Sequence, residues 1–319
     1  MDDEPPRIAR LRTYMVENIP SRRGHQAEAR RELEQLPFIK LLHAYLKWAY
    51  RFVPPHPRKV GFAPSFWNSP VARSYGGEIL ALVSSIERGD DLSDYLSSLV
   101  RERGYVPRRV WEQLPREDAR WRDRDFVLNA LGLHHLHISN ASGAKGSDKR
   151  HGAELAFVEF DRDAAIFVYA GTHAEFRSPD LTARLSEEVA QMRSRAGFEF
   201  KGLLSAREPP PHTQIIALAK NGLSSAASVD GKVVPHAMIM GDGTPVLLLR
   251  HVDIIHNRLV VLEPRLDDPE FAKEQFDGTG RQLSSSANFQ WELRYSELNL
   301  LETTSRTRFQ VIPNLYRKV

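Results

Sequence analysis

Two apolar, aromatic-rich runs, Glu154–Phe160 and Ala165–Thr172, flank the short charged turn Asp161-Arg162-Asp163. That pattern is a β-hairpin. Leu133–Ile138 alternates in part, the period of a further strand. After the hairpin, Leu181, Leu185, Val189 and Met192 recur at helical spacing across Leu181–Arg195, and Gly197 follows as a stop. Antiparallel strands carrying helices make an α+β architecture.

The rest of the chain is organised around this segment. Residues 1–125 form a mainly helical, basic region with 22 Lys and Arg against 18 Asp and Glu. Within it, Ala27–Trp48 is amphipathic and divided by Pro37. Val53–Arg58 is a proline connector, Gly77–Arg88 is a helix ended by Gly89, and Leu92–Arg103 is a second helix capped by Asp91 or Ser93. Residues 126–205 form the α+β domain with the hairpin. The run Glu208-Pro209-Pro210-Pro211 marks a linker. Residues 212–319 form a second α+β segment. Gln214–Ala219 and Pro245–Arg250 read as strands, Val252–Leu262 as a helix, and Phe289–Tyr295 and Thr307–Ile312 as late strands. An Asp230-Gly231 turn joins a short hairpin.

Composition narrows the chemistry. The 319 residues are 41% hydrophobic and 27% charged, the balance of a globular protein of about two domains. There is no cysteine, which removes disulfides, thiolate metal sites and cysteine nucleophiles. With 44 basic and 41 acidic side chains the net charge is +3, far from that of an obligate nucleic-acid binder. The start, Met1-Asp2-Asp3-Glu4-Pro5-Pro6, is acidic where an export signal is basic and then apolar. No stretch reaches the length of a membrane helix. The expectation is a cytoplasmic protein with no membrane partner.

Histidine is concentrated in one place. Five of the 12 fall in residues 129–178: His134, His135, His137, His151 and His173. In a strand over Leu133–Ile138, His135 and His137 share one face with Leu133, while His134, Leu136 and Ile138 share the other. Two imidazoles one pleat apart suit proton transfer near neutral pH. The loop Ser139–Gly152 carries Lys145, Lys149 and Arg150, cations that bind phosphate oxygens. His173 ends the second hairpin strand. The candidate catalytic set is therefore His135, His137, Arg150 and His173, with Lys145 and Lys149 as substrate-binding residues at the rim.

Gly132–Ile138, then Arg150–Val158, then Ala165–His173 together resemble the sheet of RelE/ParE-type toxins: a basic strand, then a hairpin whose first strand begins near an arginine. The resemblance spans residues 129–178. It implies a small twisted antiparallel sheet packed on helices. In the RelE branch it implies endoribonuclease activity without metal, using scattered basic and histidine residues; the ParE branch acts on gyrase. Carried over by position, Arg150 would hold the scissile phosphate, His135 or His137 would be general base or acid, and His173 would take the remaining role. The helical N-terminal segment has no counterpart in that superfamily.

These readings give a metal-independent endoribonuclease of the toxin or phage-defence kind, with an RNA substrate, no cofactor, and an antitoxin or other protein as a possible partner. Two alternatives use the same residues. One is a non-catalytic module that binds nucleic acid or protein. The other is a metal-dependent enzyme in which His135, His137 and His173 ligate Zn²⁺ or Fe²⁺; its difficulty is that the next acids, Asp148 and Glu154, lie far along the chain. Arg250, His251, Asp253 and His256 read as the solvated face of a helix start. The basic residues between Arg22 and Lys59, interleaved with Tyr45, Trp48, Tyr50 and Phe52, read as a helix with aromatics inward and charges outward.

Overall fold

The computed structural model describes residues 4–21, 23–113, 126–138, 153–175, 178–197, 214–221, 223–236, 238–276 and 288–316. Its helices are α1 (Pro6–Asn18), α2 (Gln26–Gln35), α3 (Phe38–Ala49), α4 (Pro70–Ser74), α5 (Gly76–Arg88), α6 (Ser98–Glu102), α7 (Arg108–Gln113), α8 (Phe126–Leu131), α9 (Pro179–Arg195), α10 (Ile215–Lys220), α11 (Val246–Leu262) and α12 (Pro269–Phe276). The strands are β1 (Lys59–Phe62), β2 (Leu133–His137), β3 (Glu154–Phe160), β4 (Ala164–Thr172), β5 (Ala226–Val229), β6 (Lys232–Pro235), β7 (Phe289–Arg294), β8 (Glu297–Glu302) and β9 (Thr307–Ile312). The fold is α+β. Among the described residues, no helix is long and apolar enough to cross a membrane.

Two compact units share these elements, and each draws on separated stretches of chain. One comprises Met1–Tyr50, Glu102–Arg108 and Leu248–Leu315; the other comprises Arg51–Arg101, Arg109–Leu247 and Tyr316–Val319. The expected division into 1–125, 126–205 and 212–319 does not follow these lines. The physical reason is a shared core: Leu11, Met15, Leu41, Leu42 and Leu46 pack with Leu248, Val252, Ile255 and Leu259 and with Phe289, Trp291, Leu298 and Leu300. Hydrophobic burial is indifferent to distance along the chain.

In the first unit, α3 buries Leu41, Leu42, Tyr45, Leu46 and Ala49 along one stripe. Pro37 precedes it and separates it from α2, as its missing N–H requires. The sheet is the antiparallel meander β7-β8-β9, in which Phe289, Trp291 and Leu293 alternate inward. Glu263 ties the layers together: its carboxylate accepts from Trp291 Nε1 at 2.6 Å and from Arg7 Nε at 3.0 Å. His251 is buried rather than solvated, and its Nε2–H donates to the Ser296 carbonyl at 2.7 Å in the β7–β8 turn. Burial pushes the imidazole below its usual range, against the opposing pull of that hydrogen bond.

The second unit is built on a four-stranded sheet in the order β1-β4-β3-β2. β1 runs parallel to β4, and the other pairs are antiparallel. Both faces are covered. Leu136, Ile138, Ala156, Val158, Phe160, Ala165 and Phe167 meet Ile79, Leu82 and Ile86 of α5. Leu133, Leu155, Phe157, Val168 and Tyr169 meet Val127 and Leu131 of α8 and Leu181, Leu185 and Val189 of α9. The register between β3 and β4 shifts at Phe157/Val158. This bulge puts the consecutive residues Val168 and Tyr169 both on the α9 side.

A polar layer runs beneath α9. Arg193 donates to Glu159 Oε1 at 3.0 Å and to the Leu131 carbonyl at 2.8 Å, and both side chains of the pair are buried. Ser186 Oγ lies 2.8 Å from His236 Nε2, and Ser225 Oγ lies 3.1 Å from His236 Nδ1. At the other edge, Arg58 donates to the carbonyls of Pro54, His56 and Asp161. Those bonds satisfy a proline connector that cannot satisfy itself. Burial lowers the Arg58 pKa, against the opposing pull of Tyr316.

Several expectations hold and others need correction. β2, the β3–β4 hairpin, α9 and the β5–β6 hairpin lie where the pattern put them, and Asp230 and Gly231 both have positive φ, 49° and 77°, as a two-residue hairpin turn demands. Gln214–Ala219 is not a strand; α10 covers Ile215–Lys220, a short apolar run that periodicity alone does not resolve. Pro245–Arg250 is the start of α11, with Pro245 just before the first helical residue. Leu92–Arg103 is broken into the turn Ser93–Tyr95 and α6, although Asp91 Oδ1 does accept from Ser93 N at 2.9 Å. The linker at 208–211 lies outside the described residues.

Two outcomes follow. Arg193→Met strands a buried carboxylate and is expected to cost about 3–5 kcal/mol in urea unfolding, most of which Glu159→Leu added to it restores. His251 has a folded-state pKa below its unfolded one, so its contribution is present above about pH 6.5 and is lost as pH falls. Urea midpoints measured down the acid side should fall less steeply in His251→Gln than in the unaltered chain.

Candidate functional site

β2 presents its histidines as alternation demands. His134 faces α5, with its ring edge-on to Phe160 at 5.4 Å, and is structural as expected. His135 and His137 face the other way, opposite Phe157 and Leu155 of β3. The sheet pairing continues one step beyond β3 and β4, where His173 N donates to the Ala153 carbonyl at 2.7 Å. That step carries His173 back over Ala153, and the small side chain leaves room for it.

The three imidazoles therefore stand in file. Ring centroids are 6.3 Å apart for His135 and His137, and 5.0 Å apart for His137 and His173. Their exposure differs sharply. His173 is exposed, His135 is half-buried, and His137 is only 1% exposed. His135 and His137, one pleat apart on the same face, thus differ in their access to solvent. His173 is the member that meets solvent, and His137 is packed behind it.

Arg150, Lys145 and Lys149 lie outside the described residues, as does the rest of the loop 139–152. Glu154, the nearest acid on the hairpin, belongs to the opposite face. There it accepts from the Tyr75 hydroxyl, and this bond first of all raises the phenol's pKa. Among the described residues, no group of three or more His, Asp or Glu side chains is placed to hold a metal ion.

One carboxylate at the site was passed over in the sequence. Glu175 Oε2 accepts from Thr172 N at 2.8 Å, and Glu175 N donates to Thr172 Oγ1 at 3.3 Å. This is the reciprocal pattern of a capping box, and the spacing Thr172-x-x-Glu175 is its visible signal. A Cβ at Gly171 would lie 2.6 Å from Glu175 Oε2 and 3.0 Å from Tyr169 Cε1. Only a glycine leaves the carboxylate its seat. Gly171 aligns with Leu155 and hence with His137 across three strands. An exposed carboxylate, held by the Thr172 N–H, and an exposed histidine, whose main chain is held by Ala153, thus lie at one strand end.

The Ser186–His236 contact invites a nucleophile reading, but Ser186 is fully buried and no substrate reaches it. With Glu159–Arg193, it positions α9 against the sheet.

The burial contrast makes a stability test. His173→Ala should change the unfolding free energy by no more than about 0.5 kcal/mol, as exposed sites do. His137→Ala should cost about 2–4 kcal/mol through the cavity it leaves.

No protein-family model matches the chain, and no curated protein or solved structure shows significant similarity to it. The likeness to RelE/ParE-type toxins therefore rests on the residue pattern of 129–178 alone.

Proposed function

We propose that the chain is a metal-independent endoribonuclease of the toxin or phage-defence kind, working at the end of β4. The observation that carries this reading is the file His135–His137–His173, drawn from β2 and the end of β4 and closing on an exposed histidine two residues before Glu175.

Cleavage of RNA by its own 2′-hydroxyl needs two proton transfers. A base takes the 2′-O–H proton, the oxygen attacks the adjacent phosphorus, and the P–O5′ bond breaks. An acid returns a proton to the departing 5′-oxygen, leaving a 2′,3′-cyclic phosphate and a free 5′-hydroxyl. His173 and Glu175 supply the two groups. His137 and His135 act as positioning residues that back the His173 ring. Arg150, Lys145 and Lys149, the cations expected from the sequence, are assigned to stabilising phosphate charge in the transition state.

The burial of His137 favours one competing reading, a module that binds RNA or protein without cutting it. Both readings meet the same assay. Incubated with single-stranded RNA in excess EDTA, the protein should yield fragments ending in 2′,3′-cyclic phosphate. His173→Ala should slow this by about 10²–10⁴, and Arg150→Ala should act in the same direction. RNA bound but never cut favours the binding module, and cleavage indifferent to His173→Ala removes the reading altogether.

A further inference from the structure

On the histidine side of the sheet, a guanidinium stands two strands away from β2. Tyr169 of β4 aligns with Phe157 of β3, which aligns with His135 of β2. Arg184, on α9, lies over that tyrosine. Its Nη1 donates to Tyr169 Oη at 2.8 Å, and its Cζ sits 5.2 Å from the ring centroid. The tyrosine is a firm anchor, because it is 5% exposed and stacked on Phe157 at 6.5 Å. The bulge at Phe157/Val158 turns it toward α9.

Arg184 is exposed, and one of its natural helix partners is engaged elsewhere. Asp180 and Glu188 stand four residues before and after it, the spacing at which a helix forms ion pairs. The Glu188 carboxylate accepts from Ser65 Oγ instead. Among the described residues, Arg184 makes no ion pair. Among those residues it engages the hydroxyl and the ring of Tyr169. A guanidinium carries five N–H donors, and the phenol occupies one. The remainder form a fork matched to phosphate oxygens, held in place before any ligand arrives.

Strand spacing sets the scale. Tyr169 lies two strand separations from His135, about 10 Å, and four residues from His173, about 13 Å. One nucleotide does not cover that span, but a short oligonucleotide does. We propose that Arg184, tethered by Tyr169, binds a phosphate of the RNA chain flanking the one that is cut. This deepens the ribonuclease reading and rests on it for the identity of the ligand.

Binding of a 2′-O-methyl RNA oligonucleotide, which cannot be cleaved through its 2′-position, separates the two ideas. Fluorescence anisotropy across a salt series would compare the unaltered chain with Arg184→Ala, Arg184→Lys and Tyr169→Phe. Turnover of the matching RNA and of a dinucleoside monophosphate would be followed in parallel. Arg184→Ala is expected to weaken oligonucleotide binding about tenfold and to reduce the salt slope by about 0.7, one phosphate contact on a single strand. Arg184→Lys should keep the slope and recover only part of the affinity, and Tyr169→Phe should fall between. Cleavage of the dinucleoside monophosphate, which has no flanking phosphate, should be unchanged by Arg184→Ala. Unaltered affinity and slope in Arg184→Ala overturn the phosphate site while leaving any cleavage standing. Lost affinity in a protein that never cuts RNA upholds the phosphate site and overturns the ribonuclease.

Discussion

Arg193 reaches from the last turn of α9 to a place where water does not follow, and meets Glu159 there. Two charges withdrawn from solvent hold their ground only when they pair closely and further hydrogen bonds support the pair. The Leu131 and Pro235 carbonyls complete the set for the arginine. The pair therefore fixes α9 to β3, to the end of α8 and to the end of β6 at once. Ser186 on the same helix does likewise through His236. Arg184, about two and a half turns earlier, settles on Tyr169 from a helix held in place in this way.

A sheet covered on both faces has no idle surface. Every polar side chain on β2, β3 or β4 must find a partner, end at a strand terminus, or pack as a ring. Glu159 takes the first course, His173 the second, and His134 the third against Phe160. The candidate site lies at the strand ends because exposure begins there. Its residues are tied to backbone: the main chain of His173 to Ala153, and the Glu175 carboxylate to the Thr172 N–H. Such anchoring suits proton transfer, in which small displacements are costly.

Much of this arrangement could be read from local pattern. The parity of Leu133, His135 and His137 was written in their alternation, and Asp230-Gly231 announced its turn. Other elements gave no local sign. β8 carries Asn299 and Glu302 among its buried residues and follows a Tyr295-Ser296 turn without glycine, so its start has no marker. β1 is four residues long and gains its place only by pairing with β4, a hundred residues on. The bulge that turns Tyr169 toward Arg184 arises from pairing between two strands, and neither strand shows it alone. The shared core of α3 and β7 is likewise a property of the folded chain and not of any window along it.

That core sets an order of events during synthesis. Leu11, Met15 and the stripe of α3 are made well before the strands that cover them, β7 to β9. Until those strands emerge, the helices display an oily flank that only one another and α11 can partly cover. Contacts of such long sequence separation form slowly, and exposed apolar flanks invite aggregation and chaperone capture. The nascent chain is therefore most vulnerable in the interval before β7 to β9 arrive.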